Sequence, residues 1–97
     1  MTDHAHPYVA DKDRLLKRMR RIEGQVAGIA RMIDDERYCI DVLTQVSAVT
    51  SALQSVSLEL LEAHLAGCVV EAARMGGPEA DAKVAEASQA IARLVKS

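Results

Sequence analysis

Residues 38–66 read YCIDVLTQVSAVTSALQSVSLELLEAHLA, a stretch that contains neither glycine nor proline. Its apolar side chains recur at steps of three and four residues, at Val42, Val46, Val49, Leu53, Val56 and Leu60. This spacing aligns them in one stripe along an α-helix. We therefore predict a single long helix from residue 38 to about residue 74, and this helix decides the fold class.

Two shorter helices are predicted on either side of the long one. Toward the N-terminus the same alternating steps of four and three run through Leu15, Met19, Ile22, Val26, Ile29 and Ile33. They predict a helix from about residue 11 to the acidic cluster at residues 34–36. Toward the C-terminus, Gly-Gly-Pro at residues 76–78 ends one helix and begins another, which runs to about residue 96. The chain is thus predicted to be all-α, with a three-helix protomer.

A chain of 97 residues is expected to hold one domain. Residues 1–10 show no apolar periodicity and are expected to form a flexible N-terminal arm, so residues 11–97 form a single helical domain. The sequence has no apolar stretch long enough to cross a membrane and no secretory signal, which predicts a cytoplasmic protein without a membrane partner. It also lacks an activated nucleophile, a paired acid and base, and a cofactor loop. These absences argue against an enzyme.

His64 and Cys68 are the first candidates for metal ligands. They are four residues apart, so on a helix both side chains project from one face within reach of one metal ion. Ordinary packing is the alternative, because free cysteine behaves as a small hydrophobe and His64 lies on the apolar stripe. Cys39 lies 25 residues before His64, which is about 38 Å along a helix that rises about 1.5 Å per residue. One chain therefore cannot bring all three together.

Two chains can complete such a site. If two copies of the long helix pack antiparallel about Leu53, Cys39 of one protomer comes level with His64 and Cys68 of its partner. The dimer then carries two symmetric sites, one per protomer, and gains a larger core. Two thiolates and one imidazole suit Cu(I), whereas Ni(II) and Co(II) usually recruit further nitrogen or oxygen donors. Zn(II) would need a fourth ligand.

Two further residues are candidates for the surroundings of the metal. A hairpin at residues 76 and 77 would place Glu86 opposite Cys68, where its carboxylate could accept the free ring N–H of His64. A solvated surface glutamate fits the spacing equally well. Tyr38 is either a packing residue or a hydrogen-bond partner of the site.

The charges are distributed unevenly along the chain. Residues 12–31 hold seven cations and two anions, a net charge of +5, whereas residues 32–97 hold five cations and ten anions. A basic helix on an acidic body predicts a polyanionic partner. The chain has only two aromatic residues, which disfavours stacking on single strands and leaves the phosphates of a duplex. The candidate DNA-binding residues are Arg14, Lys17, Arg18 and Arg21, and a merely solvated helix face is the alternative.

The segments RLLKRMRRIEGQVAGIARMI, YCIDVLTQVSAV and HLAGC together resemble the CsoR/RcnR family of bacterial metal-responsive repressors over nearly the whole chain. The resemblance implies an antiparallel helical-bundle dimer that assembles into a tetramer, a dimer of dimers. It implies Cu(I) bound by Cys39, His64 and Cys68. It also implies a repressor that binds operator DNA without metal and releases it when Cu(I) binds, which switches on copper efflux or sequestration genes.

The same resemblance assigns roles to single residues and marks departures. Tyr38 and Glu86 match residues around the metal in the copper sensors of the family, and Arg18 matches a residue of operator binding. Ser55 stands where some members have arginine. Nickel and cobalt sensors add an N-terminal histidine that aligns at Pro7 here, and whether the nearby His4 or His6 contributes to a metal site stays open.

Several alternative functions remain within the same fold. Persulfide-sensing relatives typically lack the histidine at position 64, so its presence favours copper over reactive sulfur. The alternatives are a sensor of nickel, cobalt or zinc, a sensor of reactive sulfur species, and a metal-buffering helical dimer without DNA activity. The basic helix argues against the buffer, which has no need of it.

Overall fold

The computed structural model describes residues 6–96, and all its elements in that range are helical. This confirms the all-α class and the three-helix protomer. The elements are a 3-10 helix (Pro7–Asp11), helix α1 (Lys12–Asp34), helix α2 (Cys39–His64), a π-helical turn (Leu65–Val69), helix α3 (Val70–Met75) and helix α4 (Gly77–Lys96). Helix α2, the π turn and α3 are contiguous and together form the long helix. None of the helices among residues 6–96 combines the length and apolar character that a membrane crossing requires.

The described chain divides into two compact units, of which the first is the hairpin unit, Lys12–Val56. Buried Leu15 and Ile22 of α1 pack with buried Val49 and Val56 of α2. Ile29 and Ala52 border this cluster. Full burial of an aliphatic side chain contributes about 1.5–3 kcal/mol, and these four side chains, each 6–8% exposed, come close to it. We therefore expect them to be the main source of stability in the hairpin.

A Schellman motif ends α1. The backbone N–H of Glu36 donates to the carbonyl of Ile33 at 3.0 Å, and the N–H of Arg37 donates to the carbonyl of Met32 at 2.9 Å. Glu36 takes the left-handed position that glycine usually occupies, with φ of 56°. The reversal satisfies carbonyls at the end of α1 and falls in the acidic cluster, where the sequence predicts the end of the helix.

The C-terminal unit comprises residues 57–96 together with residues 6–11. Its buried apolar side chains are small, Ala72 of α3 and Ala87 of α4. Gly76 has φ of 73° and ψ of −173°, a conformation that is essentially confined to glycine. The chain reverses there, Pro78 lies in the first turn of α4, and α4 packs against α3 and the π turn.

The structure corrects the prediction of an uninterrupted α-helix from residue 38 to about residue 74. Between Leu65 and Val69 the backbone is π-helical, and the N–H of Val70 donates to the carbonyl of Leu65, five residues earlier. The physical reason is one extra residue in the hydrogen-bonded turn, which α-helical periodicity cannot reveal.

The N-terminal segment also differs in detail from the expected arm. Pro7–Asp11 forms a 3-10 helix that contacts the π turn. Residues 1–5, and with them His4, lie outside the described residues. The flexible arm over residues 1–10 and the single domain over residues 11–97 stay predictions.

Candidate functional site

Two of the three predicted metal ligands, His64 and Cys68, lie in the C-terminal unit. His64 is the last residue of α2, and Cys68 is the fourth residue of the π turn. Both are partly exposed, and the cysteine is not in a disulfide. Side chains four residues apart in a helix lie on the same side, so the backbone allows both to approach one ion. π-helical turns within α-helices are also frequent at functional sites.

The third predicted ligand, Cys39, belongs to the hairpin unit. It is the first residue of α2, is exposed and forms no disulfide. Tyr38 precedes it with 68% of its surface exposed. The Tyr38 carbonyl accepts hydrogen bonds from the backbone N–H groups of Asp41 and Val42, which anchors the first turn of α2. Helix α2 is unbroken from Cys39 to His64.

Within a single chain, residues 6–96 contain no group of three histidine, cysteine, aspartate or glutamate side chains that could hold a metal ion. His64 and Cys68 supply one imidazole and one thiol. A three-coordinate site built on His64 and Cys68 therefore needs a third donor that these two residues do not supply.

Glu86 of α4 lies beside His64, the position at which the sequence predicts a partner for the imidazole. The distance from His64 Nε2 to Glu86 Oε1 is 3.7 Å, and the two side chains are 34% and 61% exposed. This separation is too long for a hydrogen bond but leaves the carboxylate next to the ring. Lys83 Nζ lies 4.0 Å from the same carboxylate oxygen. Glu86 thus stands between an imidazole and an ammonium group.

A cavity of about 580 Å³ opens beside His64 in the C-terminal unit. Its walls are mostly apolar side chains of α2 and α4, and they also include Glu86, Arg93 and Tyr8. Tyr8 comes from the N-terminal 3-10 helix, and its ring stacks on His6 with centroids 6.0 Å apart. The sequence reasoning missed this contribution, because a five-residue 3-10 helix has no periodicity to detect.

Gly67, between the two predicted ligands of this unit, packs against Pro7. A Cβ atom on Gly67 would collide with Cγ of Pro7, so glycine is required for this close approach. The only sequence signal is an isolated glycine inside a helical pattern, which indicates a packing reason without naming the partner.

The predicted DNA-binding residues lie on α1 in the hairpin unit. Arg14, Lys17 and Arg21 are exposed, and Arg18 is half-buried. Arg18 Nη2 donates a hydrogen bond of 2.9 Å to Oγ of Ser55 on α2. Exposed cations on one helix are suited to phosphate contacts. The sequence did not reveal the bond between Arg18 and Ser55, because it depends on how α1 packs against α2.

Comparisons of the sequence with known proteins give consistent results. The family described as metal-sensitive transcriptional repressor matches residues 11–93. RicR of Mycobacterium tuberculosis, named a copper-sensing transcriptional repressor, is 66% identical over 93 residues, which cover 96% of this chain and 97% of the relative. CsoR of Bacillus subtilis, which bears the same description, is 46% identical over 74 residues, or 76% of this chain and 73% of the relative.

Solved structures give the same fold. The crystal structure of the copper-sensing repressor CsoR with Cu(I) from Geobacillus thermodenitrificans superposes with a TM-score of 0.83 at 37% identity, over 98% of this chain and 94% of that chain. The nickel-responsive transcriptional regulator InrS gives a TM-score of 0.73 at 32% identity, over 96% and 99% of the two chains. Because one fold serves regulators of different metals, the choice of metal has to be argued from the donor residues.

Proposed function

This chain belongs to the family of metal-sensitive transcriptional repressors, and we propose that it is a Cu(I)-responsive member that binds operator DNA in the cytoplasm. It binds DNA without metal and releases it when Cu(I) binds, which derepresses genes of copper efflux or sequestration. The observation that carries the proposal is the pair His64 and Cys68 on consecutive helical turns, in a chain whose relatives are named copper sensors.

The donor residues fit Cu(I). We propose that the thiolates of Cys39 and Cys68 and the imidazole of His64 hold one Cu(I) per protomer. Thiolates are soft donors that select Cu(I), and three donors suffice for it. A structural zinc site would be closed by four. When bound, the ion ties these three side chains together at one point, and Tyr38 and Glu86 orient the ligands from outside the coordination sphere.

The length of α2 supports a site shared between two protomers. Cys39 and His64 are the first and last residues of one unbroken helix, about 38 Å apart at about 1.5 Å per residue. An antiparallel partner helix brings its own Cys39 to the His64 end.

Exposed apolar side chains on α2 also support a partner. Val46, Leu53 and Leu60 belong to the apolar stripe, yet 42%, 41% and 37% of their surfaces are exposed in the single chain. A second copy that covers them would form the antiparallel dimer, and two dimers would form the tetramer.

The basic side chains of α1 are the proposed contact with operator DNA. Arg14, Lys17 and Arg21 are exposed on this helix, and Arg18 lies among them. Contacts of this kind position a protein on DNA and make its affinity depend on salt.

Titration of Cu(I) into the protein bound to a labelled duplex from its own promoter region tests the function. The experiment runs anaerobically under reducing conditions, with fluorescence anisotropy as the readout. We expect release at one Cu(I) per protomer, and a complex that persists with Ni(II), Zn(II) or a persulfide donor. Release by one of those effectors but not by Cu(I) would reassign the sensor. A protein that never binds the duplex would be a metal buffer.

A mixture of two variants tests the shared site. Homodimers of Cys39→Ala or of Cys68→Ala should each lack an intact site. A heterodimer places both defects in one site and leaves the other complete, so subunit exchange should restore one high-affinity Cu(I) site per heterodimer. Verified heterodimers that bind Cu(I) no better than either parent would contradict the shared site.

A further inference from the structure

A hydrogen bond links the basic face of α1 to α2 in the hairpin unit. Arg18 Nη2 donates to Ser55 Oγ at 2.9 Å, across 37 positions in the sequence. Arg18 is half-buried, whereas its neighbours Arg14, Lys17 and Arg21 are exposed. The arginine that touches Ser55 is thus set apart from the other basic side chains of the same helix.

The hydroxyl group is suited to hold an arginine that must also bind DNA. It is neutral, so this bond restricts the guanidinium without adding a negative charge beside it, as a bond to a carboxylate would. A guanidinium carries five N–H donors, and one bond to a hydroxyl is compatible with bonds to phosphate oxygens. A long side chain otherwise loses its rotational freedom when it docks on a phosphate.

The backbone on both sides of this contact is fixed by packing. Leu15 and Ile22 lie one turn before and one turn after Arg18, and both are buried in the hairpin core. Val56, the residue after Ser55, is buried in the same cluster. The hydrogen bond therefore connects two backbone segments that are each fixed by packing. It restricts the conformations of the outer part of the Arg18 side chain.

On the basis of the proposed function, we propose that Ser55 is a positioning residue for operator binding. It holds the guanidinium of Arg18 in the conformation that contacts the DNA backbone, so that less side-chain freedom is lost when the duplex binds. Ser55 itself makes no contact with DNA in this role.

The test measures how tightly the apo protein binds a promoter duplex, as a function of salt concentration. Ser55→Ala should weaken binding about 3- to 10-fold, the effect of one lost hydrogen bond, without changing the slope against salt, because the same phosphates are contacted. Ser55→Thr, which keeps a hydroxyl, should bind as the parent does. Ser51→Ala, an exposed serine one turn earlier on α2, is the matched control and should also leave binding unchanged.

A double variant separates positioning from other effects of the substitution. Arg18→Ala should weaken binding and reduce the salt slope by about 0.9 for each lost phosphate contact. Adding Ser55→Ala to it should have no further effect. Equal affinity of Ser55→Ala and the parent, or an equal loss with and without Arg18, would overturn the role of Ser55. A different result would contradict the proposed function: the unsubstituted protein would not bind the duplex, or would not release it when Cu(I) is added.

Discussion

The hairpin unit and the C-terminal unit differ in the interactions that stabilise each of them internally. In the hairpin unit, branched aliphatic side chains on two regular α-helices form one buried cluster, and a Schellman motif closes the turn. The buried apolar side chains of the C-terminal unit are alanines, its long helix contains a π turn, and two left-handed glycines reverse the chain. An open cavity of about 580 Å³ lies beside His64 in this unit.

This difference indicates a division of labour. Local departures from regular structure are expected where function requires them, and sparse packing lowers the cost of local rearrangement. The irregular unit carries His64 and Cys68, whereas the regular unit carries the basic side chains of α1. We therefore expect substitutions in the hairpin core to act mainly on stability, and substitutions around the π turn to act mainly on the metal response.

Leu15→Ala should have the largest effect on stability. Leu15 is 7% exposed in the hairpin core, and its truncation should lower the free energy of unfolding by about 2–5 kcal/mol. Urea denaturation followed by circular dichroism, at one protein concentration because of the proposed oligomer, measures the change. The adjacent Leu16 is 39% exposed and provides the control. If Leu16→Ala costs as much as Leu15→Ala, the buried cluster is not the main source of hairpin stability.

His64→Ala should leave the fold intact and uncouple metal from DNA. The cysteines should retain some Cu(I), but the ratio of DNA affinities without and with Cu(I) should lose much of a coupling on the order of 1–3 kcal/mol. Anisotropy titrations of the promoter duplex in both states measure that ratio. Glu62→Gln, an exposed substitution on the same helix, should keep the full response. An unchanged ratio in the histidine variant would remove His64 from the switch.

The hairpin unit is also the part that sequence reasoning describes best. Apolar steps of three and four over the whole length of α1 predicted its bounds to within about two residues, because a long periodic pattern leaves little freedom of interpretation. The apolar stripe of α1 also shows what its spacing cannot predict, namely which of its residues are buried. Leu15 and Ile22 are buried, but Val26 and Ile33 are 50% and 62% exposed in the single chain. Periodicity places these residues on one face of the helix but does not tell which of them tertiary packing buries.

In the C-terminal unit the sequence predicted less. Gly-Gly-Pro located the break before α4, and the spacing of His64 and Cys68 located the candidate ligands, with family resemblance supporting their role. The π turn was missed because a hydrogen bond to the fourth or the fifth preceding residue leaves almost the same short sequence pattern. Tyr8 beside the cavity was missed because that placement depends on tertiary packing.

Gly67→Ala should expose the packing of the N-terminal segment on the π turn. The added Cβ collides with the Pro7 ring, whereas Pro7→Gly removes the three ring carbons nearest to that position, Cβ, Cγ and Cδ. The effects of the two substitutions on the free energy of unfolding should therefore couple by about 1–3 kcal/mol in urea denaturation. Alanine at position 67 should be tolerated only when position 7 is glycine.

Gly24→Ala is the control for this experiment. Nothing lies within 4 Å of a Cβ at that position in α1, so alanine should stabilise the protein by up to about 1 kcal/mol through helix propensity. Additive effects of the substitutions at positions 7 and 67 would show that the two residues do not pack together in solution.

The smallest expected effect is a gain in stability at the turn of the hairpin unit. Glu36 has φ of 56°, a left-handed conformation that costs an L-residue about 1–2 kcal/mol and glycine almost nothing. Glycine has more freedom in the unfolded chain, so Glu36→Gly should raise the free energy of unfolding by about 0.5–1 kcal/mol. Removal of a negative charge near the end of α1 also favours the helix.

Glu36→Gln isolates that electrostatic part, because it keeps the side chain and loses the charge. Asp35→Gly, one residue earlier and without a positive φ, should destabilise the protein instead. If glutamine stabilises as much as glycine, the gain is electrostatic and the left-handed residue carries no strain.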